Sequence, residues 1–302
     1  MNRRQFLATS CGATASPFLA RLAQCAEPVN AAIIPGNSMR LGEPGRGDNR
    51  ATYSPDGSTL IFASTRSGRS QIWAMDQDGG NARQLHQSSG NDYGRVASNG
   101  DGTCLCFSSD RSGQNAVYAL DRRNGRIDLV SDPNFWSFGP TWSSSDCIAF
   151  FSKKGGNAIN VWTVRPDGSE LRQITNQPGE SRQPWWSPDG RMLALSADQG
   201  SRSFQIWTLQ PDGTAARCIT QDGNYQQPFW SPDGKRIAVS AKLAGAHFRI
   251  YVMNSANGNG LEQIEQPASV DNVHPAWSPD GRSIVFTSGT ESAGALWRFS
   301  FA

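Results

Sequence analysis

Apolar residues occur along this chain in short bursts. Runs such as Met192-Leu193-Ala194-Leu195 and Ile284-Val285-Phe286 follow a Ser-Pro-Asp-Gly tetrapeptide and precede a loop of Ser, Gly and Arg. A run of that length, bounded by Pro and Gly, predicts an apolar strand. A second kind of burst carries an aromatic residue, as in Gln71-Ile72-Trp73-Ala74-Met75. It ends at a hairpin signal such as Asp76-Gln77-Asp78-Gly79 or Pro211-Asp212-Gly213.

The bursts repeat. The motif Tyr/Trp-Ser-Pro-Asp-Gly stands at Tyr53–Gly57, Trp186–Gly190, Trp230–Gly234 and Trp277–Gly281. Degenerate copies occupy Ser98–Gly102 and Trp142–Cys147. The last positions are spaced 45, 45, 43, 44 and 47 residues apart. A second marker, Trp73, Tyr118, Trp162, Trp207, Tyr251 and Trp297, keeps step at intervals of 45, 44, 45, 44 and 46. Four short strands in about 45 residues is the size of a propeller blade. One blade cannot bury both of its faces, so blades must stack around an axis. The expectation is an all-β, six-bladed β-propeller of four-stranded blades spanning 32–302, with repeats near 50–88, 95–132, 139–176, 183–221, 227–266 and 274–302. The last repeat holds only three strands. The lone segment 38–42 resembles the fourth-strand pieces Asn81–Leu85 and Leu171–Ile174, so it is expected to complete the sixth blade and close the ring.

Composition fits this reading. Of 302 residues, 37% are hydrophobic and 18% charged, and no run approaches the ~20 apolar residues of a membrane span. Met1–Leu7 carries paired arginines, Arg3 and Arg4, ahead of a weakly apolar stretch from Ala8 to Ala20. Residues 1–31 therefore resemble a twin-arginine export signal, implying a periplasmic protein. Val29-Asn30-Ala31 offers a small-residue cleavage site, and Leu22-Ala23-Gln24-Cys25 leaves a lipid anchor at Cys25 open. Subtracting Arg3, Arg4, Arg21 and Glu27 from 28 basic and 26 acidic residues leaves 25 of each. A balanced body excludes the basic excess that nucleic-acid or anionic-membrane binding requires. Cys104, Cys106, Cys147 and Cys218 match no zinc spacing and read as buried free thiols.

Repeats of Trp-Ser-Pro-Asp-Gly, an apolar strand, and then Ile-Trp before an Asp-Gly turn resemble the propeller repeats of TolB and its relatives over residues 38–302. The resemblance implies six blades and an envelope protein as partner. TolB itself carries an α/β domain ahead of its propeller, and no segment here reads as one. The repeats also resemble oligogalacturonate lyases, which implies an exported polysaccharide lyase as the alternative reading.

In a propeller the innermost strands line the central channel. Aligning the repeats puts Arg50, Arg95, Gly139, Gln183, Gln227 and His274 in one column, with Arg182, Gln226 and Phe138 in the column before it. Arg50, Arg95 and Arg182 are expected to attract carboxylates through bidentate pairs. Gln183, Gln226, Gln227 and His274 would orient a protein segment or acidic ligand, and Trp136 and Phe138 would anchor it. Catalysis finds little support. The histidines are His86, His247 and His274, no Gly-x-Ser-x-Gly motif occurs, and His274 alone reaches a channel position. Neither a metal nor a cofactor is expected. A ring without open sheet edges gives no reason to oligomerise, so a monomer is expected.

Overall fold

A computed structural model describes residues 31–302, apart from Ala244 and Glu291. Residues 1–30, which hold Cys25 and all but the last residue of the proposed export signal, lie outside the described residues. Six antiparallel sheets surround one axis, numbered here as blades 1–6 in chain order. Their innermost strands are Asn49–Tyr53, Asp92–Ser98, Ser137–Trp142, Ser181–Trp186, Asn224–Trp230 and Asn272–Trp277. Each of these strands neighbours the next, and the sixth neighbours the first, so the ring is closed.

The core lies between blades, which is why the apolar runs are continuous. The second strands Leu193–Ala197 and Ile148–Ser152 are buried at every position, and the other four are buried throughout their middles. In register, the repeating aromatic of the third strand sits opposite a second-strand phenylalanine in four blades: Trp73 faces Phe62, Tyr118 faces Phe107, Trp162 faces Phe150 and Trp297 faces Phe286. These four phenylalanines are fully or almost fully buried, each contributing about 1.5–3 kcal/mol.

The Ser-Pro-Asp-Gly turn has two jobs. Within its blade, Asp56 Oδ1 accepts Ser54 Oγ at 2.6 Å and the Ser58 amide at 3.1 Å, closing the hairpin. Between blades, the turn's glycine meets the preceding blade's proline. A Cβ on Gly57 would lie 3.6 Å from Pro279 Cδ, and one on Gly281 would lie 3.6 Å from Pro232 Cγ. Sequence reasoning reads only the first job.

Ring closure is as expected, with an addition. Strand β1 (Ala32–Ile34) precedes β2 (Gly36–Leu41), and β2 pairs antiparallel with Ala295–Phe301 to complete blade 6. Strand β1 adds a fifth, parallel strand to the outer edge of blade 5, pairing Ala32 with Glu262 and Ile34 with Ile264. The N-terminal segment thus straddles two neighbouring blades. The free thiols depart from expectation: Cys106 is buried, Cys104 and Cys147 are half-buried, and Cys218 is exposed.

Candidate functional site

The channel has two unlike mouths. At one, every innermost strand bulges as it enters the ring, and the bulged residue takes a left-handed conformation: Arg50, Gly94, Gly139, Gln183, Gln227 and His274, with φ between 54° and 85°. Holding four non-glycine residues there costs of order 1–3 kcal/mol each, which the surroundings must offset. In blades 1, 3, 5 and 6 the bulge points the amide N–H at the preceding blade, where a Ser or Thr hydroxyl accepts it. Arg50 N donates to Thr287 Oγ1 at 2.9 Å, Gly139 N to Ser108 Oγ at 3.0 Å, and His274 N to Ser240 Oγ at 3.2 Å.

Two glutamines extend this latch. Gln183 Oε1 accepts Ser196 Oγ–H and the Gln227 amide, and Gln227 Oε1 accepts Ser240 Oγ–H and the His274 amide at 2.9 Å. With its oxygen fixed by two donors, the Gln227 amide turns its NH2 toward His274 Nε2, 2.9 Å away. That nitrogen must accept, so the imidazole is neutral and carries its proton on Nδ1. Burial first, then Arg50 and Arg95, holds the His274 pKa well below the usual value, in agreement. The oxygens of both glutamines are therefore committed to joining blades.

Arg95 departs from the aligned column. Blade 2 opposes three bulge residues, Gly94-Arg95-Val96, to Phe107, whereas blade 1 opposes only Arg50-Ala51 to Phe62. The extra residue lets Gly94 take the bulge and sends Arg95 inward. Its guanidinium crosses the axis to lie 5.0 Å from the Trp185 ring centre and 5.5 Å from that of Phe229. Those two rings stack at 4.2 Å. Arg95 is 8% exposed, and desolvation followed by repulsion from Arg50 lowers its pKa to about 9. It forms a plug deep in the channel rather than a rim charge.

The other expected residues divide. Arg50 lies over Phe138 at 5.6 Å, at the mouth of a neck cavity of about 40 Å³ that both share with Arg95, Gln183, Gln227 and His274. Trp136 stacks on Phe138 at 5.7 Å and supports it from behind, against Phe151. Arg182 is not brought to the cavity. It pairs with Glu180 and packs over Phe204, so its charge is already answered. Gln226 turns to Asn224 and does not line the neck. Trp185 and Phe229 were missed. The position before each motif aromatic is otherwise filled by Thr52, Ala97, Thr141 and Ala276, and two large rings among small residues were the available signal.

The opposite mouth is a vestibule of about 260 Å³. It is walled by the motif aromatics, including Trp142 and Trp230, and by the turn prolines, with Trp185 and Phe229 as its floor. Among the described residues, no group of three His, Cys, Asp or Glu is placed to hold a metal. No helix there is long and apolar enough to cross a membrane.

The family model for the TolB β-propeller domain matches residues 42–231. This chain belongs to the TolB β-propeller family. The Tol-Pal system protein TolB of Nitratidesulfovibrio vulgaris is 51% identical over 49 residues, which is 16% of this chain and 11% of that protein. TolB from Acinetobacter baumannii superposes with a TM-score of 0.62 at 18% identity, over 85% of this chain and 63% of that one. This chain therefore spans less than two thirds of both TolB proteins. An oligogalacturonate lyase in complex with manganese superposes equally well, at 0.62 and 19% identity, over 90% and 95% of the two chains. Both superpositions speak for the fold alone.

Proposed function

We propose that this protein is an exported, periplasmic and non-catalytic TolB-like propeller that holds a segment of an envelope protein at the polar mouth of its channel. The observation that carries the reading is the pairing of Arg50 with Phe138 over a polar neck. It offers an extended chain a charge, a flat ring and amide donors within one small funnel. The TolB family supports the location and the kind of partner. A pull-down from envelope extract with residues 32–302 as bait tests it. The partner should be lost with Phe138→Ala or Arg50→Ala and kept with Trp142→Ala in the vestibule, at matched melting temperature. Equal capture by all three variants would move the binding surface off this mouth. The export signal is checked separately, since Arg3→Lys with Arg4→Lys should leave the protein in the cytoplasm.

The lyase reading is favoured by one observation, the nearly complete superposition on the manganese-bound lyase. The residues here do not fit that metal. The His274 Nε2 lone pair is taken by Gln227, and among the described residues lining the neck there is no second histidine and no carboxylate. Stoichiometric manganese bound by the purified protein would revive this alternative.

A further inference from the structure

Arg95 poses a problem of charge. Its side chain is sealed inside the ring, yet among the described residues it has no acidic partner. Its one hydrogen bond there is long, 3.4 Å from Nη1 to Pro228 O, and Nη2 is buried with no acceptor at all. The rings of Trp185 and Phe229 offset part of the desolvation through their faces, but they accept none of the in-plane N–H groups. Elsewhere this protein partners even its half-buried arginines: Arg66 meets Asp48 at 2.6 Å and Arg111 meets the fully buried Asp92 at 2.9 Å. His274 Nδ1, a donor in the tautomer fixed by Gln227, is likewise buried without an acceptor. Both residues border the same neck cavity of about 40 Å³, which opens past Phe138. That is room for a carboxylate or a halide and not for a sugar ring. The net charge of the wall there is positive, which disfavours a cation.

We propose that the channel neck is a single-anion site in which a carboxylate answers Arg95 and His274. The proposal rests on the polar mouth being the binding face, and it specifies what the bound segment must present: one acid group, inserted tip first. Seating it costs only the long bond to Pro228, since a modest pivot of the guanidinium brings its free N–H groups to the anion.

Formate is the probe, because it is a bare carboxylate and needs no partner protein. At constant ionic strength, formate replacing a bulky sulfonate should raise the melting temperature of the unmodified protein along a saturating curve. The rise should reach about 2–4 °C at roughly ten times the dissociation constant. Arg95→Met, which keeps the side-chain length without the charge, should abolish the rise, and His274→Phe should reduce it. Bromide should give an anomalous diffraction peak at the neck of the unmodified protein, which serves should the variants fail to fold. Two competitors separate the sources of the carboxylate: acetyl-Gly-Asp-amide carries it on a side chain, acetyl-Gly-Gly at the C-terminus. No saturable rise together with no bromide peak overturns the proposal and leaves the neck to water. A rise that survives Arg95→Met overturns it as well. Formate binding without partner capture would instead sink the proposed function and leave the anion site standing.

Discussion

The two mouths of one channel are built by opposite means. The vestibule is made by packing: motif tryptophans wedge between blades, and turn glycines such as Gly57 and Gly281 ride on the preceding blade's proline. Trp277 there is 3% exposed, stacked on Phe301 at 5.1 Å and covered by Arg236 at 4.6 Å. The polar mouth is made by strain held in place: left-handed bulges, a hydroxyl and glutamine latch, and a buried charge. Six near-copies of one unit thus present a face optimised for stability and a face that departs from stable choices. Departures of that kind accumulate at sites of function.

The sharpest way to break this contrast is at the stable face. Trp277→Ala should cost about 3–5 kcal/mol in urea unfolding, through the cavity it leaves. A loss below about 1 kcal/mol would show that packing does not hold the vestibule. At the polar mouth, Gly139→Ala should cost about 2–4 kcal/mol, since its Cβ would lie 2.4 Å from Phe151 Cε1 at a φ of 60°.

A smaller effect comes from pH. The folded pKa of His274 is depressed, so its contribution to stability is present above the unfolded value of about 6.5 and is lost as pH falls below it. The native protein should lose about 1.4 kcal/mol per pH unit there that His274→Gln does not, until the folded pKa is reached. Parallel unfolding curves for the two proteins between pH 7 and pH 5.5 would contradict a buried neutral imidazole. The smallest effect is expected at the rim. Arg182→Ala should change stability by no more than about 1 kcal/mol, because its partner Glu180 is a third exposed. It should also leave partner capture intact, in contrast to Phe138→Ala.

The architecture was legible because its signals are periodic. Two markers in step define the blades, and the likeness of 38–42 to other outer strands showed which piece closes the ring. The site was less legible because its chemistry lies where the period fails. Counting back from the motif aligns Arg95 with Arg50, yet one extra bulge residue in blade 2 gives Gly94 that place and drives Arg95 into the channel. Arg182 looked like a third rim charge, and only the folded strand shows Glu180 beside it. The aligned column offers Gln183 and Gln227 as ligand contacts, but in the fold their oxygens serve the neighbouring blade. Strand β1 gave no signal of its own, since three residues pair only through a partner far along the chain.

The pairing of Gly36–Leu41 with Ala295–Phe301 also sets a timetable. Gly36–Leu41 waits for a partner made far later along the chain. At the usual 5–20 residues per second, about 260 residues of synthesis keep it waiting on the order of 13–50 seconds. Through that interval the nascent ring is an open arc with blade 6 incomplete. A chain released before Ala295 would have no third strand to lay against β2, and the arc would stay open. Closure of blade 6 is therefore a late event, after β1 already has its partner in blade 5.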